Sequence, residues 1–248
     1  MIGHALSLPR RQARVAWDRP IATGFAVGSA CFLVGPFPGF VQLVGQGADG
    51  AVFFAGSVFF TLAAALELRE GTLRARRRFA NASWWSAAIQ FIGTLFFNIS
   101  TFHAMQTGLS AHQQDRLVWA PDLLGSACFL VSGALAYAVT SGPHLLPGRW
   151  RPAQSDPDST MAAVNLLGCL LFGVAAVASY VVPSTGSLLA LAPANWCTSL
   201  GGLCFLIGAV LLWRQERHRE NHSAKPYPRF QERARFRSGL PGYRGDRI

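Results

Sequence analysis

The residue in this chain whose type and place most invite chemistry is Asp122, a carboxylate read inside an apolar stretch that runs on as LLGSACFLVSGALAYAV. A charged side chain within a bilayer is costly, and is commonly kept for proton or cation work. Asp122 follows Trp119 and Pro121 at the outer start of its stretch. There a first-turn acid suits the helix dipole and water is near, so a structural role competes with the functional one. His103, His112, Asp115 and Arg116 stand close by in sequence. With Asp122 they are the raw material for an outer metal or proton site, since histidine and carboxylate suit divalent transition metals. Their spacing matches no compact ligand motif, and no metal is expected. Only His103 lies inside an apolar stretch, so the facing histidine pair of a membrane haem is missing.

Three uncharged polar residues complete the set. Gln90, Asn98 and Asn165 either line a pathway with Asp122 or bond between helices, the latter at about 0.6 to 2 kcal/mol each. The sequence contains no HExxH, Walker A or glycine-rich dinucleotide motif, and no serine–histidine pair of an intramembrane protease. Neither a cofactor nor an enzymatic activity is expected. The five cysteines, Cys31, Cys128, Cys169, Cys197 and Cys204, have no metal-binding spacing, and all but Cys197 sit well inside apolar stretches as small buried side chains.

What must position these residues is a set of membrane-spanning helices. Of 248 residues 51% are hydrophobic and 14% charged, against about 25% charged in a soluble domain. Mean hydropathy is +0.28. The charges cluster in short segments between apolar runs of roughly 20 residues, the length that crosses a bilayer as helix. Six spans are expected at Ile21–Phe40, Ala51–Leu68, Trp84–Met105, Val118–Thr140, Met161–Val182 and Asn195–Trp213. Trp84, Trp85, Trp119, Trp196 and Trp213 fall at their ends, where an amphipathic ring sits among headgroups.

Of 22 Lys and Arg residues, 21 lie in residues 1–20, 69–83, 141–160 and 214–248, and the alternate connections hold only Arg116. The positive-inside rule therefore puts both termini in the cytoplasm, together with the connections 69–83 and 141–160. The net charge of +10 marks topology, and nucleic acid is not an expected partner. No small-residue cleavage site follows the basic N-terminus, which is read as the cytoplasmic lead-in to an uncleaved first helix.

Aligned on one glycine, the six spans share a pattern. They read GSACF from Gly28, GSVFF from Gly56, GTLFF from Gly93, GSACF from Gly125, GCLLF from Gly168 and GGLCF from Gly201. The seventh residue after each glycine is also small: Gly35, Ala63, Ser100, Ser132, Ala175 and Gly208. Positions i, i+4 and i+7 share one helix face. Lipid offers no hydrophobic drive for helix association, so such small-residue faces are expected at helix contacts. The unit is a helical hairpin occurring three times, with glycine pairs 28/56, 93/125 and 168/201. The hairpins occupy residues 21–68, 84–140 and 161–213, related as parallel repeats about an axis along the membrane normal. The phenylalanines then fall near the midplane.

Paired helices with a G-[ST]-x-x-F core and basic cytoplasmic ends resemble the YrhK-like domain family, small two-helix membrane modules of bacteria. The resemblance covers roughly residues 21–213 as three diverged copies. It implies fold and membrane location and carries no activity. Asn165, Gln90 and Asp122 stand three residues before a motif glycine, where the first hairpin has Phe25 and Phe53.

The expected protein is thus an all-α, polytopic bundle of six helices in the cell membrane. Its leading functional reading is a noncatalytic structural or accessory module held by the glycine ridges; the rival is a small channel or transporter with a polar pathway through Asp122, Gln90, Asn98 and Asn165. The tail 214–248, with ten basic residues, cannot build a core and is expected to be disordered beyond a helical extension through RQERHRE. The lipid bilayer is the first partner, anionic headgroups near the tail the second, and other membrane proteins the third.

Overall fold

The computed structural model describes residues 10–37, 39–74, 81–106, 108–141 and 157–223. The chain is helical almost throughout: α1 (Arg10–Val34), α2 (Phe40–Val44), α3 (Gln46–Arg74), α4 (Ala82–Ala104), α5 (Ala111–Gln114), a π-helical turn (Asp115–Trp119), α6 (Ala120–Ser141), α7 (Pro157–Ala178) and α8 (Leu191–Ser223). A two-residue β-hairpin, β1 (Val181–Val182) and β2 (Ser187–Leu188), joins α7 to α8. Four helical runs are long and apolar enough to cross a membrane: Gln46–Leu73, Ala111–Ser141, Pro157–Ala178 and Leu191–His218. Of the two other long helices, α1 begins in the charged segment Arg10–Arg19, and α4 is interrupted by Gln90, Asn98 and several hydroxyl residues.

Several boundaries differ from the sequence reading, each for a local reason. The first helix stops at Val34 and not at Phe40, because Pro36 can neither continue the ladder nor leave its predecessor helical. At its other end it starts at Arg10, so part of the basic segment 1–20 is helix. The fifth stops at Ala178, and the residues read as its last turn, Val181 and Val182, pair with Ser187 and Leu188 across a turn closed by Gly186 at φ 65°. The fourth begins far earlier than Val118. Ser110 and Gln113 form a reciprocal capping box, and the run continues through the π turn into α6. Asp122 stands in the first turn of α6, which continues from α5 through the π turn, so the N-terminus of α6 is not a free helix end. Residues 75–80, 142–156 and 224–248, with most of the basic connections and the tail read as disordered, lie outside the described residues.

Among the described residues, each long helix packs against two others, in the order α1, α3, α4, α6, α7, α8 and back to α1, closing a ring. Small hydroxyl residues are tucked between the helices, and the outer face is apolar. Ser29, Ser57, Thr94, Ser126 and Ser132 are buried, while Leu124, Leu167, Val174 and Leu203 are exposed. An outer face rich in large apolar residues is the arrangement a lipid environment favours. The residue before each motif glycine (Val27, Ala55, Ile92, Leu124, Leu167, Leu200) faces outward, and the glycine itself is buried.

The glycines bring neighbouring backbones together. A Cβ on Gly93 would lie 2.8 Å from the Phe129 ring and 3.1 Å from the Gly125 carbonyl oxygen; one on Gly28 would lie 2.7 Å from Phe60 and 2.9 Å from the Gly56 oxygen. Gly201 faces Phe172 and the Gly168 oxygen in the same way. Hydroxyls join the remaining contacts: Ser57 and Thr101 share a hydrogen bond of 2.9 Å between α3 and α4, and Ser199 donates to the Leu33 carbonyl at 3.1 Å between α8 and α1.

The six motif phenylalanines converge on the centre of the ring. Phe32, Phe97 and Phe172 form one triangle, with centroids 5.6 to 6.3 Å apart. Phe60, Phe129 and Phe205 form a second, at 5.8 to 6.0 Å. The layers touch through the pairs 32/60, 97/129 and 172/205, at 5.6, 5.0 and 5.2 Å. Edge-on and tilted packing of this kind is the preferred geometry for aromatic rings.

Candidate functional site: two clefts about a phenylalanine seal

A cleft opens on each side of these rings. The larger, of about 500 Å³, lies where α1, α4 and α7 begin and α3, α6 and α8 end; it reaches Phe60, Phe129 and Phe205. The smaller, of about 270 Å³, lies at the opposite end and reaches Phe32.

Helix direction decides which residue reaches which cleft. The position three before the motif glycine places Phe25, Gln90 and Asn165 in the larger cleft, because α1, α4 and α7 enter from that side. The same position on the antiparallel α3, α6 and α8 places Phe53, Asp122 and Thr198 in the smaller one. The four candidate pathway residues are therefore not brought together. Gln90 and Asn165 share the larger cleft, Asp122 is in the smaller, and Asn98 lines neither, its Nδ2 donating to Thr61 Oγ1 at 2.9 Å across the α3–α4 contact. The Asn98 amide oxygen is buried without a partner among the described residues. Gln90 accepts a 3.3 Å hydrogen bond from Ser132 Oγ. The Asn165 amide lies against Gly208, so that a Cβ there would require the amide to turn away.

The larger cleft also holds carboxylates that the span reading passed over: Asp18, Glu67, Glu70 and Asp158. Asp158 accepts from Gln215 Nε2 at 2.9 Å. Glu67 has no hydrogen bond or ion pair among the described residues, and neither has Asp122 in the opposite cleft. The signal was present: Gly56, Phe60, Ala63, Glu67 and Glu70 step along α3 at one-face spacing, so the ridge read for packing runs directly into the acids.

The outer histidine and carboxylate residues do not assemble. Asp115 Oδ1 accepts the Val181 N–H at 3.1 Å, holding the π turn to the β-hairpin, while Trp119 Nε1 donates to the Ala176 carbonyl at 2.9 Å. Among the described residues His103 Nδ1 is buried without a partner, and His112 is exposed. Among the described residues no three His, Cys, Asp or Glu side chains gather as a metal site.

No family model matches the chain, and neither do any curated protein or solved structure.

Proposed function

We propose that this chain is a noncatalytic membrane protein of the cell membrane that provides a gated passage for a small solute. The observation that carries the reading is the arrangement of two clefts, each with a carboxylate in a mixed polar and apolar lining, at opposite ends of one helix ring and separated by two layers of phenylalanine. Each cleft holds a carboxylate without a protein partner among the described residues. Intramembrane carboxylates of this kind suit ion and proton pathways. In this reading α1, α3, α4, α6, α7 and α8 all cross the bilayer as three hairpin repeats, each a diverged YrhK-like unit. The equivalent placing of Gly and Phe in every pair supports the repeat. Lipid surrounds the ring, anionic headgroups meet the basic tail, and other membrane proteins remain partners of the outer face.

Ion and solute flux from purified protein in liposomes, with and without a pH gradient, tests the passage. Wild type is expected to carry flux, and Asp122→Asn to change its size or pH dependence, because an amide cannot exchange charge. Absence of flux under every gradient would favour the second reading, a structural or accessory module. The observation on its side is that ring centroids 5.0 to 6.3 Å apart fill the centre of the bundle.

Both termini and the larger cleft face the cytoplasm in this reading, since the basic connections leave the ring at that end. A membrane-impermeant thiol reagent applied to sealed cells should label Ser187→Cys, on the exposed β-hairpin, above the level of the parent protein. It should not label Ser223→Cys. Labelling of the second alone reverses the orientation.

A further inference from the structure

We propose that the smaller cleft is a binding site for a monovalent metal cation, sodium or potassium, held by the Asp122 carboxylate and the oxygens around it. The inference deepens the passage reading and rests on it for the purpose of the site. Asp122 is partly accessible by surface yet its carboxyl is surrounded by protein, which is the geometry of a group facing into a cleft. It has no hydrogen bond or ion pair among the described residues. An enclosed carboxylate lacking a partner calls for a positive charge.

The lining decides which kind. Four hydroxyls border the cleft, and each already gives its one proton to a backbone carbonyl: Ser100 to Val118 at 2.8 Å, Thr101 to Phe97 at 2.7 Å, Ser179 to Ala176 at 2.9 Å and Thr198 to Ala194 at 2.7 Å. What each oxygen has left is lone pairs. An anion finds no hydroxyl donor there, whereas a hard metal cation finds oxygen ligands. Asp122 and Thr198 hold equivalent places on α6 and α8, three residues before the motif glycine, so they reach the cleft at one depth. With Ser100 and Thr101 on α4 and Ser179 at the end of α7, the oxygens come from four helices. A spherical ion uses ligands on all sides; an alkylammonium carries its donors on one. Valence follows from the charge. Among the described residues lining this cleft Asp122 is the one ionisable side chain, and nearby Asp115 is spent on the Val181 N–H. A single carboxylate balances a monovalent ion and leaves a divalent one half uncompensated.

The test is calorimetric titration of sodium chloride, and separately of potassium chloride, into the full-length protein in a maltoside detergent, with ionic strength held constant by N-methylglucamine chloride. At least one of the two ions should bind saturably, and neither calcium nor methylammonium should displace it. Asp122→Asn should weaken binding about tenfold or more. Thr198→Val, which keeps the shape but removes the oxygen, should weaken it severalfold, and Thr198→Ser, which restores the oxygen, should bind like wild type. Lack of binding of both ions by wild type overturns the proposal, as does displacement by calcium, which would mean a divalent site, or by methylammonium, which would mean an ammonium site. Unchanged affinity in Asp122→Asn would place the ion elsewhere and overturn it too. The wild-type titrations need no variant, so they stand even where a substitution lowers stability. Metal binding without flux in liposomes would overturn the passage and leave the site; flux of other solutes without metal binding would overturn the site alone.

Discussion

Phe129→Ala is expected to lower the unfolding free energy by about 2 to 4 kcal/mol. Phe129 is 2% exposed and meets the rings of Phe60, Phe97 and Phe205. In a soluble core the cost of such a deletion includes transfer of the ring from water, but here the unfolded helices stay in lipid and that part largely vanishes. The cavity remains. Removing the phenyl group empties about 100 Å³, which at about 24 cal/mol per Å³ costs about 2 kcal/mol, and the lost ring contacts, which do not add independently of the cavity, contribute together about 0.5 to 1.5 kcal/mol more. Phe60→Ala and Phe205→Ala, at the other corners of the same triangle, should lose a similar amount. Leu124→Ala, on the outer face and 51% exposed, should lose little. Reversible unfolding in mixed micelles measures all four. A loss at Phe129 no larger than at Leu124 would mean that the six rings do not form a packed seal.

The second large effect is at the helix contacts. A Cβ on Gly125 would stand 2.9 Å from the Phe97 ring and 3.0 Å from the Gly93 carbonyl oxygen. The ring can turn, but the carbonyl is backbone, so α4 and α6 must separate along the contact. Overpacking costs about 1 to 3 kcal/mol, and Gly125→Leu belongs at the upper end because lipid cannot restore the lost contact. The smaller change separates packing from helix propensity. Gly125→Ala should destabilise, whereas Gly173→Ala, where a Cβ meets nothing within 4 Å, should be neutral or stabilise by up to about 1 kcal/mol. Thermal melting of the purified variants in detergent distinguishes the two glycines. Equal responses would separate the six-fold motif from helix packing.

The sequence alone determined which segments are helical, because apolar runs near bilayer length admit little else. It also determined that one face of each helix carries Gly, Phe and a small residue at i, i+4 and i+7, since that pattern is written in the residues and helix geometry supplies the rest. It was silent on exact ends where short-range chemistry intervened. Neither the stop at Val34 nor the strand at Val181–Val182 is visible to hydropathy, which rates proline-broken and extended apolar residues like helical ones. Glu67 lies inside the expected span Ala51–Leu68, next to its last residue, and averaging hydropathy over the segment passes over a single carboxylate there.

What only the tertiary structure decided is where equivalent positions meet. Gln90, Asn165 and Asp122 occupy the same place relative to their glycines, and read along the chain they suggest a single polar site. Because α6 runs opposite to α4 and α7, the shared offset carries Asp122 to one end of the ring and the two amides to the other. The same reversal makes two layers of three from six phenylalanines at one offset. Whether a residue faces a partner helix, a cleft or lipid depends on which helices lie on either side of it. Asn98 illustrates this: it is as polar as Gln90, but Thr61 of the neighbouring helix takes up its amide, and it lines neither cleft. Periodicity specifies a face, and only the closing of the ring specifies what that face meets.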